Sequence, residues 1–214
     1  MEYSLICESR SGHNFIRANI DSYLNNKLIY NNIESVYIDE YYYNGKYIIS
    51  NPKVNTPLNI IVIREPLNWL SSLHEQIKDE DKEHEIFLKE RIKKYIDIFE
   101  EGVNIKNRLK NKFTIYYDSF VTSKEYRESV CNYLGGKYNE TKLNIVPSNG
   151  KYSSFDKATK QYNGSEMNVT ERYINNKNNN LYIKLLKENP LLFDISNKYF
   201  YCSKKEGFIN SIKN

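Results

Sequence analysis

A short apolar run, Ser4 to Cys7, stops at polar residues, and a 3.6-residue apolar period then carries on to Ile20. This pattern predicts a strand, a tight loop and a helix that fades near Asn25-Asn26. Ser35 to Asp39 alternates in polarity and is rich in β-branched and aromatic residues, which predicts a second strand ending in Asp39-Glu40. Three tyrosines, an Asn44-Gly45 turn and Lys46 to Ser50 make a hairpin pattern. A polar, proline-flanked loop precedes Asn59 to Ile63, a nearly continuous apolar run of the kind buried on both faces, and so the candidate central strand.

Arg64-Glu65-Pro66 follows at once, with Pro66 suited to a first helical turn and Trp69, Leu70, Leu73 and Ile77 at helical spacing. Trp69 reads as core. Asp79 to Glu85 reads as a charged linker, and Ile86 to Phe99 as an amphipathic, solvated packing helix. Phe113 to Tyr117 predicts a further strand. Ser123 can cap a helix that turns Tyr126 and Val130 inward and closes at Gly135-Gly136. Residues 147–164 lack periodicity and read as a mobile loop or lid. Helices are predicted at Glu166 to Tyr173, Leu181 to Lys187 and, last, Pro190 to Tyr201. Strands alternating with helices define an α/β class with three layers, a central mainly parallel sheet and one domain over 1–214. In such sheets ligands bind at the carboxyl ends of strands, where Arg10, Asp39-Glu40 and Arg64 fall.

The first loop has the chemistry of an anion site. Amide N–H groups of a first helical turn, backed by the helix dipole, favour negative charge. Gly12 permits close approach, Arg10 adds a forked cation, and Ser11, His13 and Asn14 add donors. The loop lacks the lysine-serine/threonine ending of a nucleoside triphosphate loop, which argues against magnesium triphosphate.

Composition narrows the ligand. The net charge of +4, from 31 basic and 27 acidic residues, suits a small anion and shows no basic stripe for nucleic acid. Cys7, Cys131 and Cys202 are isolated, and no histidine stands at ligand spacing, so neither zinc nor a disulfide framework is expected. His74 and His84 read as structural or solvent-facing. Met1-Glu2-Tyr3 carries no basic leader and no run approaches a membrane span, so a soluble, untargeted, cytoplasmic protein is expected.

Several separated pieces, in order, resemble the sulfotransferases that use 3′-phosphoadenosine 5′-phosphosulfate. Ser9-Arg10-Ser11-Gly12-His13-Asn14-Phe15 is similar to that family's 5′-phosphosulfate loop, and Arg64-Glu65-Pro66-Leu67-Asn68-Trp69-Leu70-Ser71-Ser72 to its 3′-phosphate motif. Tyr116-Tyr117-Asp118 resembles its Tyr-Glu-Asp sequence, and Ser153-Ser154-Phe155-Asp156 a stretch of its short members. The resemblance implies a P-loop NTPase-like sulfotransferase fold and a metal-free transfer of a sulfuryl group from that nucleotide to a hydroxyl or amine. It implies Arg10, Ser11, Gly12, His13 and Asn14 at the 5′ end, Arg64 and Ser72 at the 3′-phosphate, Phe15 and Tyr116 flanking the adenine, and Lys151, Ser153 and Ser154 in a lid. His13-Asn14 replaces the usual threonines, and the late Arg-Lys-Gly motif is absent. Glu40, or its neighbour Asp39, stands where the family places its base, beside Arg10 and His13 as catalytic candidates.

Each residue has a plainer reading. Arg64 can be a surface ion-pair partner of Glu65 or Asp118, His13 a helix-start donor, and Asp39-Glu40 a solvated strand end. A nucleotide-dependent phosphotransferase and a non-catalytic nucleotide-binding module are the alternative functions. The acceptor is undetermined, with carbohydrate one candidate, and the oligomeric state is open.

Overall fold

The computed structural model describes residues 2–24, 29–34, 41–43, 46–48, 57–76, 82–140, 168–200 and 203–213. Its strands are β1 (Glu2–Cys7), β2 (Ile29–Glu34), β3 (Tyr41–Tyr43), β4 (Lys46–Ile48), β5 (Leu58–Ile63) and β6 (Lys112–Tyr116). Four of them build one sheet in the order β2-β1-β5-β6, every neighbour parallel, while β3 and β4 pair as an antiparallel hairpin. The two interior strands alternate between two cores. Tyr3, Leu5, Cys7, Ile60 and Val62 face one, Ile6, Ile61 and Ile63 the other. Burial on both faces is why these two runs are apolar almost throughout.

Helices cover both faces. α1 (His13–Tyr23) sets Ile16, Ile20 and Tyr23 on one side, joined there by α4 (Tyr117–Thr122) and α5 (Lys124–Tyr133). On the other side lie α2 (Pro66–Gln76), α3 (Lys82–Gly102), α6 (Asn180–Glu188), α7 (Leu191–Tyr199) and α8 (Ser203–Lys213). Their apolar residues surround Trp69, which is fully buried as expected. Ser123 caps α5 by accepting from the Tyr126 amide, and Gly135, at φ 68, follows the helix end. At the amino end of β6, buried Glu101 accepts from Lys112 Nζ at 2.6 Å, Arg108 Nε at 3.1 Å and the Leu109 amide at 3.0 Å. Burial raises its pKa, but these donors outweigh burial and hold the carboxyl below its usual range.

The strand expected at Ser35 to Asp39 lies outside the described residues, and the strand beside β1 is Ile29–Glu34. Two asparagines break its alternation, and it is the last strand in the sheet order of the described residues. The charged stretch from Lys82 to Glu85 is already the first turn of α3, which buries Leu88, Ile92, Tyr95, Ile98 and Phe99 rather than forming a solvated layer. Tyr117 starts a helix instead of ending β6. Of the expected helix at Glu166 to Tyr173, residues 168–171 are irregular, and Arg172–Asn176 forms a 3-10 turn. α7 is not the last helix, because α8 follows it. The lid pattern at 147–164, with Lys151, Ser153 and Ser154, and the candidate base Glu40 lie outside the described residues.

Candidate anion-binding site

Parallel register places the ends of β1, β5 and β6 on one edge: Cys7 pairs with Val62, and Ile63 with Tyr116. From β1 the chain passes through α1 to β2 on one side, whereas β5 lies on the other side of β1. The loops after β1 and β5 therefore diverge, making the crevice where α/β sheets take their ligands. Arg10 and Arg64 stand at the two lips.

The first loop is tightly wound. Ser11 N–H donates to the Glu8 carbonyl at 3.2 Å, and the Phe15 and Ile16 amides both donate to the Gly12 carbonyl at 3.1 Å. Arg10 takes φ 68 and Gly12 φ 84, both left-handed. Gly12 is the residue before α1 and supplies no side-chain cap, and the first turn holds no acidic residue, so the positive end of that helix meets no carboxylate of its own. A Cβ on Gly12 would lie 2.1 Å from Cε2 of Tyr117, so the backbone rests directly on that ring. Ser11 is 1% exposed, and its Oγ has no hydrogen-bond partner among the described residues. Behind the loop, buried Glu8 forms an ion pair with Arg91 of α3.

Arg64 ties the two lips together. Its Nη1 donates to the Arg10 carbonyl and to Ser72 Oγ, each at 3.0 Å, and Nη2 donates to the Val169 carbonyl at 2.6 Å. The guanidinium lies 5.2 Å from the centre of the Tyr117 ring, and Nε is buried with no hydrogen-bond partner among the described residues. At 3% exposure Arg64 is an interior cation, not the surface ion-pair partner that the plainer reading allows. Ser72 Oγ also accepts from Arg172 Nη1 at 3.0 Å, so two guanidinium groups converge on one hydroxyl. Trp69 adds a second tie, donating from Nε1 to the Ser9 carbonyl at 2.7 Å. The 168–172 segment is fastened here as well, through Asn68 Nδ2 to the Thr170 carbonyl at 2.7 Å and Ser71 Oγ to the Arg172 carbonyl at 2.8 Å.

Beneath Arg64 lie two buried carboxylates. Asp118 Oδ2 accepts the Glu65 amide at 2.7 Å, and Glu65 Oε2 accepts the Asn68 amide at 2.7 Å, capping α2. Burial pushes the Asp118 carboxyl up to about 6 against the pull of Arg64, and the charge of Glu65 pushes it the same way. The folded state thus holds this proton more tightly than the unfolded chain, whose aspartate titrates near 3.8. The stability it contributes is full below about pH 4 and is lost as the pH rises through about 6. Urea unfolding from pH 4 to 7 should show wild type losing up to about 3 kcal/mol relative to Asp118→Asn across that window, since each pKa unit is worth about 1.4 kcal/mol. Parallel stability curves for the two proteins would remove Asp118 as the source.

Of the residues marked in the sequence, the structure gathers Arg10, Ser11, Gly12, Arg64 and Ser72 around one crevice, with His13 and Asn14 at the start of α1. Phe15 and Tyr116 do not meet. Phe15 packs edge-on against Tyr117 and Phe120 in one core layer, and Tyr116 packs against Phe200 in the other. Arg172 was missed because no local pattern marks it, its partner Ser72 being 100 residues away. Lys205, which reaches Glu65 from α8, carries no sequence signal either. Among the described residues no three His, Cys, Asp or Glu side chains group as metal ligands do, and no helix is long and apolar enough to cross a membrane.

The fold is α/β, with Arg10 and Arg64 following the ends of two neighbouring parallel strands. Comparison with protein-family models, curated proteins and solved structures gives no match for the chain.

Proposed function

We propose that this chain is a sulfotransferase whose donor is 3′-phosphoadenosine 5′-phosphosulfate. The observation that carries the reading is the single guanidinium of Arg64 reaching both the carbonyl of Arg10 and the hydroxyl of Ser72, which joins the two loops that the resemblance assigns to the two anionic ends of that nucleotide. The unpartnered Ser11 Oγ and Arg64 Nε, both buried in this crevice, are donors of the kind such an anion requires. In this reading Arg10, the backbone from Ser11 to Asn14 and the start of α1 hold the 5′ end, and Arg64, Ser72 and Arg172 hold the 3′-phosphate. When bound, the nucleotide supplies an activated sulfuryl group for an acceptor hydroxyl or amine. Arg10 and the α1 dipole stabilise negative charge at the 5′ end, and the two arginines on Ser72 favour a dianion over a neutral ribose hydroxyl. Because the Val169 carbonyl occupies Arg64 Nη2, the phosphate reaches that donor by exchanging with the carbonyl. Glu40 is retained as the candidate base.

Calorimetry with adenosine 3′,5′-bisphosphate, ADP and ATP, with and without magnesium, tests the reading. The bisphosphate should bind tightest and indifferently to magnesium. Magnesium-dependent preference for ATP would support the phosphotransferase instead, and tight bisphosphate binding with no labelled sulfate transferred to any acceptor would leave a binding module. Arg10→Ala should lower turnover by more than it lowers donor affinity, because its charge acts where negative charge grows. A change in affinity alone would remove Arg10 from catalysis.

A further inference from the structure

The residue that follows Arg64 is held from three directions. Its amide donates to Asp118 of α4 at 2.7 Å, its carbonyl accepts from the Trp69 amide of α2 at 2.8 Å, and its carboxylate accepts the Asn68 amide on one oxygen and Ser196 Oγ of α7, at 2.7 Å, on the other. These bonds fix the strand-to-helix corner that carries Arg64. The carboxylate is also a buried charge, Glu65 being 2% exposed, and Lys205 of α8 is the cation within ion-pair distance of it, Nζ standing 3.5 Å from Oε1. Lys205 is itself 5% exposed, and its other polar contacts among the described residues are Ser196 Oγ at 3.4 Å and the Phe200 carbonyl. Arg64 sends its donors elsewhere, to Arg10, Ser72 and Val169. Among the described residues the cluster therefore holds two carboxylates, Glu65 and Asp118, against two cations, Arg64 and Lys205.

We infer that Lys205 is a positioning residue for the anion site, acting on Arg64 through Glu65, so that the helix α8 and ligand binding at the strand ends are coupled. The inference rests on the reading of the Arg10–Arg64 crevice as a nucleotide anion site. Without Lys205, two buried carboxylates share one guanidinium, and the positive charge of Arg64 is drawn into compensating them instead of an incoming phosphate. Removing the charge of Glu65 as well restores the balance at the corner while leaving Arg64, Ser72 and Arg172 untouched. A lysine that only packs α8 against its neighbours would give no such compensation.

The test is a set of full-length variants titrated with adenosine 3′,5′-bisphosphate, with thermal unfolding recorded for each. Lys205→Met should weaken binding tenfold or more, Lys205→Arg should stay within about threefold of wild type, and Lys205→Met combined with Glu65→Gln should recover to within about threefold. The inference fails if Lys205→Met binds like wild type, or if the double variant is as weak as the single one. Should Lys205→Met not fold, the double variant decides. Folded with near-wild-type affinity it supports the coupling, and weak or unfolded it overturns it. A wild-type chain that binds no bisphosphate at all overturns the donor reading, and the coupling with it, whereas loss of the coupling alone leaves wild-type binding intact.

Discussion

Arg64→Ala is expected to lower the stability of the fold by about 3–5 kcal/mol and, in the protein that remains folded, to cut the preference for adenosine 3′,5′-bisphosphate over adenosine 5′-phosphate sharply. The stability loss follows from burial. The side chain donates to the Arg10 carbonyl, Ser72 Oγ and the Val169 carbonyl and lies against the Tyr117 ring. Alanine leaves the Arg10 and Val169 carbonyls without their cation and Ser72 Oγ with Arg172 alone, opens a cavity at the crevice, and leaves Asp118 and Glu65 with Lys205 to offset them among the described residues. For a chain of this size, such a loss lowers the thermal midpoint by on the order of 10 °C. The specificity loss is the sharper test, because it compares two ligands on one protein. A charge-assisted contact to the 3′-phosphate contributes about 1–3 kcal/mol, so affinity for the bisphosphate should fall by roughly fivefold to a hundredfold while that for the 5′-phosphate hardly changes. Equal losses for both would mean that Arg64 only holds the loops in place.

Gly12→Ala should also be severe, by a different route. The added methyl falls 2.1 Å from the Tyr117 ring, and at φ 84 the backbone is one that alanine adopts with difficulty. The ring has little room to retreat, with Phe15 edge-on to it at 6.2 Å between centroids and Arg64 beside it. Left-handed strain of about 1–2 kcal/mol and overpacking of about 1–3 kcal/mol together give a loss of about 2–5 kcal/mol. Gly135→Ala is the internal control. That glycine also has a positive φ, of 68, but a Cβ there meets nothing within 4 Å, so only the backbone strain remains. Urea unfolding of both variants should rank Gly12→Ala well below Gly135→Ala. Equal losses would show that the ring contact is not what fixes the loop.

Residues that act through nearest neighbours in the chain were legible. The β1–loop–α1 unit, the buried run of β5, Pro66 opening α2, the Ser123 cap and the hairpin arms at 41–43 and 46–48 all depend on local spacing or turn chemistry, and the structure has them. Arg64 and Ser72 were legible as a pair because one helix brings them within 3.0 Å. Tyr116 and Phe15, paired in the sequence reading, fall in different core layers. Consecutive strand positions point to opposite faces, and Tyr117, already turned into α4, lies in the layer with Phe15. β2 was hidden by the asparagines inside it. α8 was hidden by a weak pattern in which Gly207 and several lysines surround the inward Ile209 and Ile212. Arg172 and Lys205 matter through contacts closed only by tertiary packing, on which periodicity is silent.

Arg10 keeps a left-handed backbone, φ 68, without being a glycine. Glycine would relieve about 1–2 kcal/mol of strain there and give back somewhat less as extra freedom of the unfolded chain, so the backbone at this corner gains nothing from an arginine. Selection on the backbone of this turn alone would favour a glycine or an asparagine. A lineage that keeps an arginine at this corner is one in which its charge is used, and a lineage that has lost the use of the crevice should show a glycine or asparagine in its place with the rest of the loop intact.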